Sequence, residues 1–351
     1  MQPRSPAFGG TRACCPDMYP TNLLIFLPAG PGTQWDSVRA ALHRQLLDAG
    51  SETYKSRMAA LPQRLDGDWR EPRLEDMNDT ARVQRIVSKC VFFVMFGKWV
   101  TDDEASMLSG WRSNAGAFVL PRIVQRVMCN VMIRRVKKLR KASVGLAEKY
   151  GLQQIFVDMN NSLGEWKRRN VVELCYDIVF GIGFAGIGGT SAACETVAAF
   201  LQCKIPTESA AKHIKWGAYD TGVKMVAKYK DNSEAYIKEA LRMNPPVTSA
   251  TNVFQEEKKV TLRGKERAMP AGTLNQHVLA MANRDARVFP EPKVFNPDRD
   301  NLNKAVTWNG AFGAEDEASF PRICPGRYMG LGITQTIVNY ALRIPPAAAA
   351  V

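Results

Sequence analysis

Apolar side chains recur at helical intervals through most of the chain and alternate over only one short stretch. Trp35, Val38, Leu42, Leu46 and Leu47 share a face opposite Arg39, His43 and Arg44, which predicts a helix over 34–61 that Pro62 stops or kinks. A second helix is predicted over 75–97, where the run from Val87 to Phe96 implies burial on most sides. Two or three further helices are expected over 103–150, the last carrying the basic run 134–142. Residues 171–203 form the longest apolar segment and carry no charge from Ile178 to Cys194. That uncharged stretch is too short to span a bilayer, so it predicts a helix through the centre of a helical domain. Its glycines at 181, 183, 186, 188 and 189 weaken such a helix by about 0.5–1 kcal/mol each relative to Ala, so close approach of another helix or a flat ligand is expected there.

Residues 232–243 predict an amphipathic helix capped by Asn232 or Ser233 and ended by Asn244-Pro245-Pro246. Strands are expected over 247–254 and 258–262, with turns at 263–266 and 268–273 leading into 274–281. Residues 285–327 predict a long coil, which at that length suggests a functional loop. An apolar helix follows over 328–342, and 344–351 is a low-complexity tail. The fold class implied is mainly α with small β-sheets.

Composition narrows the class. Of 351 residues, 46% are apolar and 23% charged, which excludes fibrous and disordered chains. Forty-seven Lys and Arg against 34 Asp and Glu leave +13, which favours anionic surfaces or an acidic redox partner. No nucleic-acid recognition motif accompanies that charge, so no nucleic-acid partner is expected. The eight cysteines show no CxxC spacing and there are three histidines, so zinc frameworks are poorly supplied and a reduced, intracellular chain is expected. Residues 1–33 read as an irregular segment without a secretory core or transmembrane helix.

Three constellations carry candidate chemistry. Cys324 lies in a Pro and Gly turn directly before an apolar helix, whose first amides favour a thiolate, and Gly326 lets backbone approach a bulky group. Such a thiolate can ligate heme iron. Glu239 and Arg242, three apart on one helix, share a face on which Arg299 from the following loop could complete a buried ion network. Trp35 and Arg39, four apart, could pack on a flat cofactor and pair with its carboxylate.

In this order, the segments resemble the cytochrome P450 superfamily. Trp35 and Arg39 match its WxxxR helix, and Ala185 to Ser191 match its Gly-rich central helix. Glu239 and Arg242 match ExxR, Phe295, Pro297 and Arg299 match the Phe-x-Pro-x-Arg loop, and Cys324 and Gly326 match the proximal loop. The resemblance covers 34–343 as one catalytic domain binding heme b. It implies Cys324 as the axial iron ligand, with Arg322, Trp35 and Arg39 holding the propionates. Glu239, Arg242 and Arg299 become a structural brace. Thr190, Gly186 and Ala185 would lie on the distal side. Relative to that pattern both ends look short, so the fold is expected to be incomplete at its N- and C-termini.

Three departures refine the resemblance. Gly189 stands where an acid usually precedes the central Thr, so no side chain there relays a proton. Glu317 and Phe320 replace the usual Phe and Gly before the cysteine, and the loop before them looks lengthened. Gly188-Gly189, Pro245 to Val247, and Trp308-Asn309-Gly310 are similar to allene oxide synthases and hydroperoxide lyases, which rearrange fatty acid hydroperoxides without reductase or dioxygen. Ala185 departs from that branch, which has an Asn there. Hydroperoxide rearrangement or cleavage, an oxylipin type of lipid metabolism, is the first expectation. The alternatives are a monooxygenase served by a reductase or ferredoxin and a noncatalytic heme-binding remnant. Phe180, Phe184, Ile187, Val247 to Phe254, and Phe92 or Phe93 are expected to line an apolar pocket for a lipid, sterol or terpene. The basic runs 134–142 and 167–169 would dock an acidic electron donor or anionic lipid, so a cytoplasmic, plastid or peripheral membrane location fits.

Overall fold

The computed structural model describes residues 34–110, 138, 141–165, 168, 170–206, 214–254, 256–262, 264–313 and 323–345. The chain gathers into two compact units, one of Met1–Val38, Trp111–Gly181 and Ser249–Val278, the other of Arg39–Gly110, Ile182–Thr248 and Leu279–Val351. Arg322, Glu317, Phe320, most of the basic run 134–142 and the segments 1–33 and 346–351 lie outside the described residues.

The second unit holds most of the helices. Helix α1, Gln34–Leu42, begins in the first unit and continues in the second, where it passes into a π-helical turn, His43–Leu47, and α2 then runs from Glu52 to Asp68. The single helix expected over 34–61 is thus divided at 48–51, and Pro62 lies inside α2 instead of ending it. Local hydrogen bonds decide this: the Asp48 carboxylate accepts from the Gly50 amide at 2.9 Å, and the Ser51 hydroxyl caps α2 by accepting from Tyr54 at 3.2 Å. Fully buried Leu61 and Leu65 keep the proline's turn in register.

After a tight turn at Leu74–Asn78, helix α3 spans Thr80–Phe96. Asp79 caps it by accepting from the amides of Ala81 and Arg82, and Gly97, at φ 70°, closes it in the left-handed region. Every residue from Ile86 to Phe96 is buried, as the apolar run implies. Lys89 within it is neutralised by Asp68 at 2.8 Å and Asp102 at 2.5 Å, which ties α3 to α2 and to α4, Asp102–Ser109.

The first unit contains α5, Gln153–Asn161, packed on α6, Val171–Gly181. The chain then continues into the second unit as a π-helical turn, Ile182–Ile187, and α7, Gly188–Leu201. Helix α7 packs on α3, on α8 (Gly222–Asp231), on α9 (Ser233–Met243) and on α11 (Arg327–Ala341). The short helix α10, Leu279–Ala282, precedes the coil.

The first unit also carries the β-structure, as two antiparallel pairs. Strand β1, Ala250–Val253, pairs with β4, Leu274–His277, while β2, Lys258–Leu262, pairs with β3, Lys265–Met269. Sequence reading expected a turn at 263–266 and no strand at 265–269. Gly264, at φ 76°, reverses the chain quickly enough for Leu262 to face Lys265, so β3 begins within the expected turn. Among the described residues no helix is long and apolar enough to cross a membrane.

Helix α9 positions the charged network described next, and its start depends on Asn232, whose side chain accepts from the Ala235 amide at 3.0 Å. Asn232→Ala is expected to destabilise the fold by about 1 kcal/mol in urea unfolding. An unchanged midpoint would contradict this role.

Candidate functional site

Glu239 and Arg242 face one another one turn apart on α9, and both are fully buried. Arg242 donates from Nε at 2.6 Å and from Nη2 at 2.8 Å, one bond to each carboxylate oxygen. The carboxylate also accepts from the Asn296 amide at 2.9 Å and from Arg299 Nε at 3.3 Å. Arg299 spends its remaining nitrogens on the carbonyls of Pro290, Glu291 and Val294, and Arg242 donates to those of Asn283 and Pro292. The coil from 283 to 299 therefore folds around one carboxylate and two guanidinium groups. Phe295 fixes the far end of this coil, with Phe200, Trp216, Tyr219 and Tyr236 stacked edgewise around its ring.

Cys324 is half-buried, two residues before Gly326, which caps the start of α11. Its amide donates to the Trp308 carbonyl at 2.8 Å, and its own carbonyl accepts from Arg327 Nη1 at 3.1 Å. Arg39 donates to the carbonyl of Ile323, which carries the cation of α1 to this loop. Burial pushes the Cys324 thiol upward, while the Gly326 amide on its sulfur and the charges of Arg39 and Arg327 pull it down; the net direction is up. That direction favours the protonated thiol, and a metal held there would have to displace the proton. Cys194 contrasts with it: fully buried on α7, its thiol is pushed up to about 12.

Beside the cysteine loop, the Trp308 indole fills the space a side chain at Gly330 would need. A Cβ there would stand 3.1 and 3.2 Å from two ring carbons, and 3.5 Å from Thr190 Oγ1. Thr190 is thus buried against α11. One residue earlier, a Cβ on Gly189 would meet nothing within 4 Å among the described residues, and one on Gly186 would make ordinary contact with Val91 at 3.7 Å. Ala185 is exposed. The π-helical turn at Ile182–Ile187 contains Ala185 and Gly186 and leads directly into Gly188 and Gly189, a widening often found at functional positions.

The structure thus brings Glu239, Arg242 and Arg299 into one network, and Arg39, Cys324 and Gly326 into one loop region. Trp35 lies on α1, and its side chain, like those of Phe180 and Phe184, lies outside the described residues. Phe92 and Ile187 are core residues, and Val247 is exposed. Sequence reading did not single out Asn283 or Thr307, both buried beside the network. Their only signal was a polar residue at the end of an apolar stretch, which many surface turns share.

Comparison with known proteins bears on the fold that carries these residues. Residues 233–344 match the family model described as cytochrome P450. Cytochrome P450 71D179 of Thymus vulgaris is 30% identical over 116 residues, which is 31% of this chain and 22% of that protein. Cytochrome P450 71D180 of Origanum vulgare is 30% identical over 121 residues, 32% of this chain and 23% of that protein. These matches therefore span less than a quarter of the curated relatives' length.

Among solved structures, epothilone B-bound cytochrome P450epoK superposes with a TM-score of 0.65 at 15% identity, covering 96% of this chain and 77% of that one. P450BioI in complex with an acyl carrier protein ligated to hexadec-9Z-enoic acid gives 0.58 at 14%, covering 96% and 84%. The chain has the cytochrome P450 fold, mainly α with small β-sheets. The Cys324 donor set fits the heme this fold implies: one soft sulfur, a backbone amide aimed at it, and two guanidinium groups nearby whose charges offset part of the cost of burying its anion.

Removing one partner from a fully buried pair strands a charge. Glu239→Gln is expected to destabilise the protein by about 3–5 kcal/mol, with Arg242 and Arg299 left facing a neutral amide. A loss under about 1 kcal/mol in denaturant unfolding, the range of an exposed pair, would contradict the network's role.

Proposed function

We propose that this chain is a heme-thiolate enzyme of the cytochrome P450 type, acting on an apolar, lipid-like substrate, with Cys324 as the axial ligand of heme b. The observation that carries this reading is the Cys324 loop, which joins a soft donor to the Gly326 amide and the charges of Arg39 and Arg327. Heme held there would supply an iron whose electron-rich sulfur ligand favours O–O cleavage. Arg39, with Trp35 and Arg322 as implied by the resemblance, would hold its propionates.

For the reaction we favour rearrangement or cleavage of a fatty acid hydroperoxide. Residues 185–189 are Ala, Gly, Ile, Gly and Gly, none with a side chain that holds or passes a proton. Thr190, the nearest hydroxyl, is packed against Gly330, which supports Gly189 as the residue facing substrate. A hydroperoxide brings its own O–O bond, so its rearrangement draws neither dioxygen nor electrons from a partner. What the chain supplies is an apolar helix face with no proton-relaying side chain beside the reacting atoms. A reductase-dependent monooxygenase is the second reading. One observation favours it: the buried Ser191 hydroxyl has no hydrogen-bond partner among the described residues, so it is available to order a water on this helix turn.

Adding a polyunsaturated fatty acid hydroperoxide to heme-loaded protein is expected to bleach its conjugated-diene absorbance without any reductase. Product formation only with a reductase and dioxygen would overturn the rearrangement reading in favour of the monooxygenase. Gly189→Ala is expected to stabilise the fold by about 0.5–1 kcal/mol, because its methyl meets no described atom, while slowing peroxide consumption. Unaltered turnover in that variant would place Gly189 away from the substrate.

A further inference from the structure

Asn283 is fully buried just after α10, and each of its four polar atoms has a partner. Its amide donates to Leu279 at 2.9 Å, and its carbonyl accepts from Arg242 Nη1 at 2.7 Å. Its side-chain oxygen accepts from the Val306 amide at 2.8 Å, and its Nδ2 donates to Thr307 Oγ1 at 3.1 Å. Thr307 in turn donates to the Leu241 carbonyl, one residue before Arg242, at 3.3 Å. The next residue, Trp308, receives the Cys324 amide and lays its ring on Gly330.

We propose that Asn283 is the positioning residue through which the buried Glu239–Arg242 pair sets the place of Cys324. Its main chain is held by Arg242, and its side chain holds two consecutive residues, Val306 and Thr307, directly before the residue that anchors the cysteine amide. Arg242, Asn283 and Thr307 are all buried, so water cannot replace a bond lost among them without a rearrangement, and the links beyond them, Val306, Trp308 and Cys324, are half-buried. The chain from 305 to 313 has no helix or strand of its own to hold it. Asn283 acts in place of secondary structure, as a carboxamide whose two ends bond two successive residues. This step is independent of what Cys324 binds. Only the spectral arm of its test rests on the heme reading above.

The direct test is hydrogen exchange in the heme-free protein, comparing wild type with Asn283→Leu and with Thr307→Val and Thr307→Ser. Thr307→Val leaves the Arg242 bond to Asn283 in place, so it tests the path if Asn283→Leu fails to fold. We expect Thr307→Val to speed exchange about tenfold or more in the segments 305–309 and 323–326, as one lost buried hydrogen bond allows, with α3 and α7 unchanged. Thr307→Ser is expected to restore the wild-type rate. In heme-loaded protein Thr307→Val is expected to convert part of the reduced, carbon monoxide bound spectrum from the thiolate form to the form lacking the thiolate. Faster exchange confined to 305–309, with 323–326 as in wild type, would overturn the proposal, as would a uniform increase across the fold. Selective exchange at 323–326 with no thiolate spectrum even in wild type would uphold the mechanical path and refute the heme reading alone.

Discussion

The structure around the site depends on the burial of one carboxylate. Glu239 lies in the interior, where an unpaired charge would cost several kcal/mol, and attraction between Glu239 and Arg242 offsets that only when the remaining donors and acceptors are also met. Four donors converge on its two oxygens, from Arg242 twice, Arg299 and the Asn296 amide. Each guanidinium then needs acceptors of its own, and these are main-chain carbonyls of the coil between 283 and 294. A coil with almost no regular structure is ordered because its carbonyls are the acceptors that the buried cations require.

The described residues around the cysteine, 323–326, are likewise irregular yet held at several points. Cys324 has a hydrogen bond to Trp308, a cap at the start of α11 and a cation from α1, each from a different part of the chain. Packing adds a steric limit: Gly330 must lack a side chain for the Trp308 ring to sit between α11 and the loop. The glycines of the central helix differ in kind. Gly330 is demanded by a neighbour, whereas at Gly189 no described neighbour would be disturbed by a methyl group, so packing among the described residues does not explain that glycine.

Much of this was legible in the sequence, for definable reasons. The apolar run of α3, the cap at Asn232 and the Glu239–Arg242 spacing are local signals, and the structure has all three. The break within 34–61 was missed because proline is the louder symbol, although Asp48, Gly50 and Ser51 supply the hydrogen bonds that break the helix. Strand β3 was missed because its charged residues face solvent in a two-stranded ladder and show no apolar alternation. Asn283 and Thr307 were not legible, since their importance comes from partners more than twenty residues away. The orientation of Thr190 also depends on Gly330, which no helical period in α7 encodes.

The central claim is that Cys324 is presented as a thiolate ligand by a loop the buried network holds. The most direct measurement is the reduced, carbon monoxide bound absorption spectrum of heme-loaded protein, taken beside Cys324→Ala. The account predicts the thiolate-type band in the wild type and its loss in the variant with heme still bound. The same band in both proteins, or no heme uptake by the folded wild type, would contradict it.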